Sequence, residues 1–398
     1  MTGGRLTVCL VAPAMPPTIG GAETLAELLT LTLAGAGVAV RVLTAEAPRP
    51  GVAEAVRAAG GDVEVLGSTF GPVDGSVGWE WATFARAEAI HRVCSTGRVD
   101  IVHALSHDAI VSACIALAGP GAPACPLVAT TSEMSTEDTR FGAARSAFVY
   151  GLPIDGLLQL SQYYSDVADR HGCRPRARRV AAAVDVDLFS SGSAERGRRL
   201  LGVDLDALLV MCPGRFSLRK GQLDLLAALD LLPAGLRGRV ACVLAGSTSS
   251  ASADHRRRVL DAAGRSGVRC AVTAVARADM PDALAASDLV VMPSHLEGLG
   301  FAAIEAMVAG TPVLLADVHG LREIPGAPGQ VAFVPAGQPP ALAAALADLL
   351  SDPDRRRRLA AAGRERALDA FAPRRLAEAA ISLYRELLDR PAAHDVAG

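Results

Sequence analysis

Apolar residues gather in short, nearly continuous runs, separated by stretches with helical spacing, and the alternation recurs along the 398-residue chain. Leu6–Ala12 reads as a buried strand, followed by the glycine-rich turn 18–22 and a helix with Leu25, Leu28, Leu29 and Leu33 on one face. Val38–Leu43, Asp62–Leu66, Asp100–Ala104, Leu127–Thr131 and Gly156–Leu160 continue the series, the last being its final clear strand. After a polar segment, Ser190–Arg199, the pattern restarts. Leu208–Cys212, Arg239–Ala245, Arg269–Val275, Leu289–Met292 and Val313–Ala316 are predicted strands, interleaved with helices such as Gln222–Leu232. Strand and helix in turn mean βαβ units and mainly parallel sheets. The expected architecture is two doubly wound α/β domains, residues 1–189 and 200–372. An amphipathic helix, Pro373–Asp389, follows them, with Leu376, Ala380, Leu383 and Leu387 at helical spacing.

Composition narrows the class of function. The length suits two domains, and a net charge of −3 without a block of one sign argues against a dedicated nucleic-acid or polybasic membrane binder. Arg355–Arg358 would fan around a helix as a solvated face, and Arg174–Arg179 is too short a run to dock on anionic lipid. The eight cysteines contain no C-x-x-C pair and read as small core residues of a reducing compartment. No secretory leader is evident, so a cytoplasmic location is expected.

Four segments carry candidate chemistry, each at a strand end or loop, where open α/β sheets bind ligands. Gly20-Gly21-Ala22-Glu23 is either a plain turn or a place where backbone N–H groups meet an anion. It is not the G-x-G-x-x-G dinucleotide fingerprint. Gly214-Arg215-Phe216-Ser217-Leu218-Arg219-Lys220-Gly221 offers cations suited to a diphosphate, or simply surface charge, with Arg219 the readiest to be only that. Pro293–Phe301 leads into a helix bearing Glu305, the one charge between Glu297 and Asp317. A carboxylate among apolar residues is costly unless something pairs with it, and sugar or ribose hydroxyls would do so. His295, alone on a loop, reads as solvated. Gly310-Thr311-Pro312-Val313 marks a helix stop before a buried strand.

Taken together these residues resemble the retaining glycosyltransferases of family 4. The family pattern E-G-x-G-x-x-x-x-E-A-M-x-x-G-x-P-V is met by EGLGFAAIEAMVAGTPV, residues 297–313. GGAE, GRFSLRKG, ALAASDLVVMPS, the segment Val184–Phe189 (VDVDLF) and the closing FAPRRLAEAAISLYRELL are also similar. The resemblance implies the GT-B fold: two Rossmann-like domains facing a cleft, with the last helix crossing back to the N-terminal domain. It implies a nucleotide-diphosphate sugar as donor substrate, no cofactor and no metal. Glu305 would hold the ribose hydroxyls, Glu297 would lie at the donor sugar, and Arg215 and Lys220 would bind the diphosphate. Backbone groups of Gly20, Gly21, Gly298, Leu299, Gly300 and Phe301 would help, and Val275 would line the base pocket. Leaving-group stabilisation by cations and helix N-termini is then the main catalytic effect.

The sequence also departs from the family. Many relatives carry a histidine where this chain has Ser132, followed by Glu133; its bond to the donor sugar would pass to one of these or be lost. His103 and His107 are alternative candidates, His103 for catalysis and His107 for the acceptor. Ala183 stands where relatives often have glycine. The acceptor side is marked only by Trp79 and Trp81, which would stack on an acceptor or anchor the core, and by residues 133–140. A small polar acceptor is expected. An epimerase or hydrolase on the same fold, and a catalytically silent nucleotide-sugar binder, are the alternatives. Oligomeric state and nucleobase are not encoded legibly.

Overall fold

A computed structural model of the chain describes residues 5–12, 15, 21–67, 79–119, 121–131, 142–246 and 253–389. The chain forms two units: residues 1–183 with 373–398, and residues 184–372. In the first unit, seven strands are ordered β3-β2-β1-β4-β5-β6-β7. They are β1 (Thr7–Ala12), β2 (Ala39–Thr44), β3 (Asp62–Val65), β4 (Ile101–Ala104), β5 (Leu127–Ala129), β6 (Gly156–Gln159) and β7 (Ala177–Val180), all paired in parallel. The second unit orders six parallel strands β10-β9-β8-β11-β12-β13. These are β8 (Leu208–Pro213), β9 (Val240–Ala245), β10 (Arg269–Thr273), β11 (Leu289–Met292), β12 (Val313–Ala316) and β13 (Ala332–Val334).

The continuous apolar runs are explained by burial on both sheet faces. Val210, Leu244, Val291 and Leu314 are fully buried, with Leu225 and Leu229 of helix Gln222–Asp230 and Leu346 of helix Pro339–Ser351 in the same core. The strand order reverses between β8 and β11, so the loops leaving their carboxyl ends lie beside one another. Such a switch point is where doubly wound sheets take ligands.

The last helix, Pro373–Asp389, packs within the first unit. It buries Leu376, Ala380, Leu383 and Leu387, and Glu386 pairs with Arg179 of β7 at 2.7 Å. Two strands lie outside the sequence expectation, β7 and β13. The segment Ser190–Arg199 is also no linker. Most of it lies in helix Ala194–Leu201, where Arg196 pairs with Asp282 at 2.7 Å and Arg198 with Asp288 at 2.8 Å. The unit boundary accordingly falls at 183/184, and the VDVDLF segment belongs to the second unit. The arginine runs are satisfied internally: Arg176, Arg178 and Arg179 pair with Asp155, Asp169 and Glu386, and Arg355 and Arg357 with Asp348 and Asp354. All eight cysteines are free thiols. No described helix is long and apolar enough to cross a membrane.

Candidate active site

The loops after β8 and β11 are locked together by backbone. Gly221 has a φ of +65°, and a Cβ there would lie 2.0 Å from Pro293 O, so only glycine permits this approach. His295 N donates to Arg219 O at 2.7 Å, and His295 Nε2 meets Asp224 Oδ2 at 2.8 Å. His295 is therefore tied to helix Gln222–Asp230 rather than merely solvated. Gln222 reaches back to Arg215 O at 2.9 Å.

This frame brings Lys220 and Glu297 into direct contact, Lys220 Nζ donating to Glu297 Oε1. Ser294 Oγ donates to the same oxygen at 3.1 Å. Glu297 Oε2 makes no hydrogen bond among the described residues. The Arg215 side chain is exposed and pairs with no described residue. One turn on, Gly300 caps helix Phe301–Val308 at a φ of +84° without a side-chain bond, leaving the first N–H groups of that helix for an acceptor. Gly298 and Leu299 are buried just before it, with Phe301 half-buried.

Glu305 repeats the arrangement. Its Oε1 accepts from Arg277 Nη1 at 3.3 Å, while Oε2 makes no hydrogen bond among the described residues. The side chain is 13% exposed. Burial pushes its carboxyl up to about 7, against the pull of Arg277 and with a smaller push from Asp185. The Arg277 guanidinium lies 5.4 Å from the centroid of the buried Phe189 ring. Val275, half-buried, is on the same loop, after β10. Lys220, Glu297, Arg215 and Glu305, along with Gly298–Phe301 and Val275, thus all belong to the second unit, at the carboxyl ends of its strands. Arg277, Ser294 and Phe189 were not singled out from sequence. A lone arginine among Ala274–Ala278 was the available signal for Arg277.

The other candidates fare differently. Ser132, Glu133 and Gly20 lie outside the described residues, as does the segment 133–140. Gly21 opens helix Gly21–Gly35 and is exposed. The expectation that His103 is catalytic is corrected. It is fully buried, with Nδ1 2.6 Å from Tyr384 Oη and Nε2 2.8 Å from Thr130 Oγ1. Thr130 Oγ1 donates to Leu158 O at 2.7 Å, so it accepts from His103 Nε2–H, and Tyr384 donates to Nδ1. Burial depresses the imidazole to about 3, which keeps it neutral. With both nitrogens engaged, His103 fastens the last helix to the sheet. His107 is also buried, edge-on to Tyr150 at 6.1 Å, which leaves no surface for an acceptor. Trp81 is no core anchor: it is 75% exposed. Trp79 begins the same helix, Trp79–Thr96, but its side chain is outside the described residues.

Two family models match this chain in succession. Glycosyltransferase Family 4 matches residues 19–188, and Glycosyl transferases group 1 matches residues 194–366. The chain belongs to glycosyltransferase family 4. Among curated relatives, D-inositol 3-phosphate glycosyltransferase of Saccharomonospora viridis is 33% identical over 217 residues, 53% of this chain and 50% of that one. Alpha-maltose-1-phosphate synthase of Mycolicibacterium smegmatis is 32% identical over 194 residues, 47% of this chain and 50% of that one. The matched region spans about half the length of these relatives. Among solved structures, Anabaena HepE in complex with UDP and glucose superposes with a TM-score of 0.77 at 20% identity, covering 96% of this chain and 100% of that one. Sucrose-phosphate synthase of Thermosynechococcus elongatus does so with 0.77 at 21% identity, covering 96% and 99%. These likenesses bear on the fold, two Rossmann-like parallel-sheet units of the GT-B type. Among the described residues of this family member, no group of three or more His, Cys, Asp or Glu could hold a metal ion.

Proposed function

We propose that this protein is a retaining glycosyltransferase that moves a sugar from a nucleotide-diphosphate donor to a small polar acceptor. The observation that carries this reading is the matched pair of carboxylates, Glu297 and Glu305. Each has one oxygen held by a cation and the other without a hydrogen bond among the described residues. A ribose and a sugar are polyols and need such acceptors. A diphosphate needs the exposed Arg215, Lys220 and the open N-terminus of helix Phe301–Val308. The UDP and UDP-glucose held by the HepE structures, and the inositol phosphate named for the curated relatives, agree with a nucleotide-sugar donor and a small polar acceptor.

In this mechanism Glu305 takes the ribose hydroxyls and Glu297 a hydroxyl of the donor sugar. The acceptor hydroxyl attacks the anomeric carbon from the face that the diphosphate leaves, so configuration is retained. The anomeric C–O bond breaks, the electron pair stays with the diphosphate, and its departing oxygen takes the acceptor proton. Lys220 and Arg215 offset the charge that builds on that oxygen, without a metal. The free thiols suit work in the reducing cytoplasm.

A thermal-shift panel of nucleotide sugars on wild type and Glu305→Gln tests the reading. One donor should raise the wild-type melting point and lose most of that effect in the variant. With that donor and small polyol or sugar-phosphate acceptors, product should form in the presence of a chelator. Binding without any product would leave a silent nucleotide-sugar binder, and product formed without acceptor would indicate an epimerase or hydrolase.

A further inference from the structure

Arg277 has no place in the mechanism above, yet it is built into the site on three sides. Its guanidinium bonds Glu305 Oε1 at 3.3 Å, lies 5.4 Å from the centroid of the buried Phe189 ring, and projects from the loop that holds Val275. Phe189 cannot move to let it go, being fully buried in helix Val186–Ser190, which packs on helix Phe301–Val308. Arg277 is therefore clamped between an aromatic face and one carboxylate oxygen. A planar guanidinium so held is weakly hydrated and fixed in direction, which an ammonium would not be.

We propose that Arg277 is a positioning residue for the donor nucleotide, fixing the Glu305 carboxylate through Oε1 so that Oε2 is presented to the ribose hydroxyls. The proposal rests on the nucleotide-sugar reading and adds the residue that makes Glu305 a working acceptor. A carboxylate can accept from two hydroxyls at once, whereas a protonated carboxyl turns one of its oxygens into an O–H donor and loses acceptor capacity. Burial already raises the Glu305 carboxyl to about 7 in the presence of Arg277. Without that cation the proton would be held to still higher pH.

Other charges near Glu305 do not substitute for Arg277. Asp185, capping helix Val186–Ser190, opposes ionisation, and Asp187 on that helix has the same sign. On helix Met280–Ala285, Asp282 is bonded to Arg196. On helix Pro353–Ala370, Arg364 donates to Val308 O at 2.9 Å. Strands β11 and β12 contribute only apolar side chains.

The test is a calorimetric titration of the full chain with UDP-glucose, GDP-glucose and ADP-glucose from pH 5.5 to 8.5. The diphosphate diester of these donors does not itself titrate in that range. In wild type, affinity for the preferred donor should fall as pH drops through about 7, by up to about tenfold per unit. In Arg277→Ala the fall should begin at least about one unit higher, giving roughly tenfold weaker binding at pH 7 and recovery toward wild type at pH 8.5. Arg277→Lys should restore part of the shift, and Glu305→Gln should bind weakly and flatly across the range. An Arg277→Ala profile identical to wild type, or lowered by one factor at every pH, overturns the positioning role. If Glu305→Gln binds like wild type, or wild type binds no donor, the nucleotide reading itself falls and this inference with it.

Discussion

Glu305 occupies a place in the fold where an ionised carboxylate is costly. Its carboxyl lies near 7 in the fold, above the ordinary glutamate value, so the folded state holds the proton more tightly than the unfolded chain. Between the two values stability falls as pH rises, and above about 7 the full cost of a buried charge is present. Gln at this position keeps the shape and an acceptor for Arg277 but carries no charge. Glu305→Gln should therefore stabilise the ligand-free protein at pH 8 by about 2 kcal/mol, seen as a higher melting point, and change it little at pH 5. The same variant should lose donor binding at pH 8. A calorimetric scan at both pH values checks the first half; a lower melting point at pH 8 would make Glu305 a structural residue. The lone charge in an apolar run was visible in the sequence because its energetics are local. Arg277, its partner 28 residues away, was not, because only the fold brings it there.

Between the two site loops, positioning depends on how closely backbone can approach backbone. Gly221 combines a φ of +65° with Pro293 O 2.0 Å from where a side chain would begin. Gly221→Ala must push the β8 loop away from the β11 loop, and with them Lys220 from Glu297. The expected loss is about 3 kcal/mol or more of stability, with donor affinity weakened in whatever protein remains folded, read by denaturant melts and titration. The sequence made most elements of this scale legible, because a strand buried on both faces announces itself as an apolar run. β11 and β12 fall where the pattern puts them. β7 escaped because Ala177–Val180 carries two arginines and pairs with β6 alone, at the sheet edge. β13 is only three residues long. Helix Ala194–Leu201 was hidden by its polarity, since its arginines are spent on Asp282 and Asp288 rather than on an apolar face. The site loops after β8 and β11 were legible through their glycines and charges, and their mutual packing was not.

Across the whole molecule, one side-chain hydrogen bond of the first unit spans 281 positions, that between His103 and Tyr384. Tyr384→Phe removes the donor to a buried nitrogen and should cost about 1–3 kcal/mol, with no change in how the donor titrates into the second unit. The imidazole sits near 3 in the fold, below the ordinary histidine value, so the unfolded chain binds its proton first. Stability from this residue is complete above about 6.5 and is lost as pH falls toward 3. Acid melts followed by far-ultraviolet circular dichroism should show the wild type weakening across that window. A Tyr384→Phe protein as stable as wild type would mean that the helix is held by its leucines alone.

Residues 184–372 are, in chain topology, a passenger: the polypeptide leaves the first unit once and re-enters it once. Val184 N donates to Phe371 O at 3.0 Å, so the passenger's two ends are stitched to each other. Damage at helix Pro373–Asp389 therefore falls on the first unit, which the chain completes only after the passenger, and the second unit is topologically closed without it.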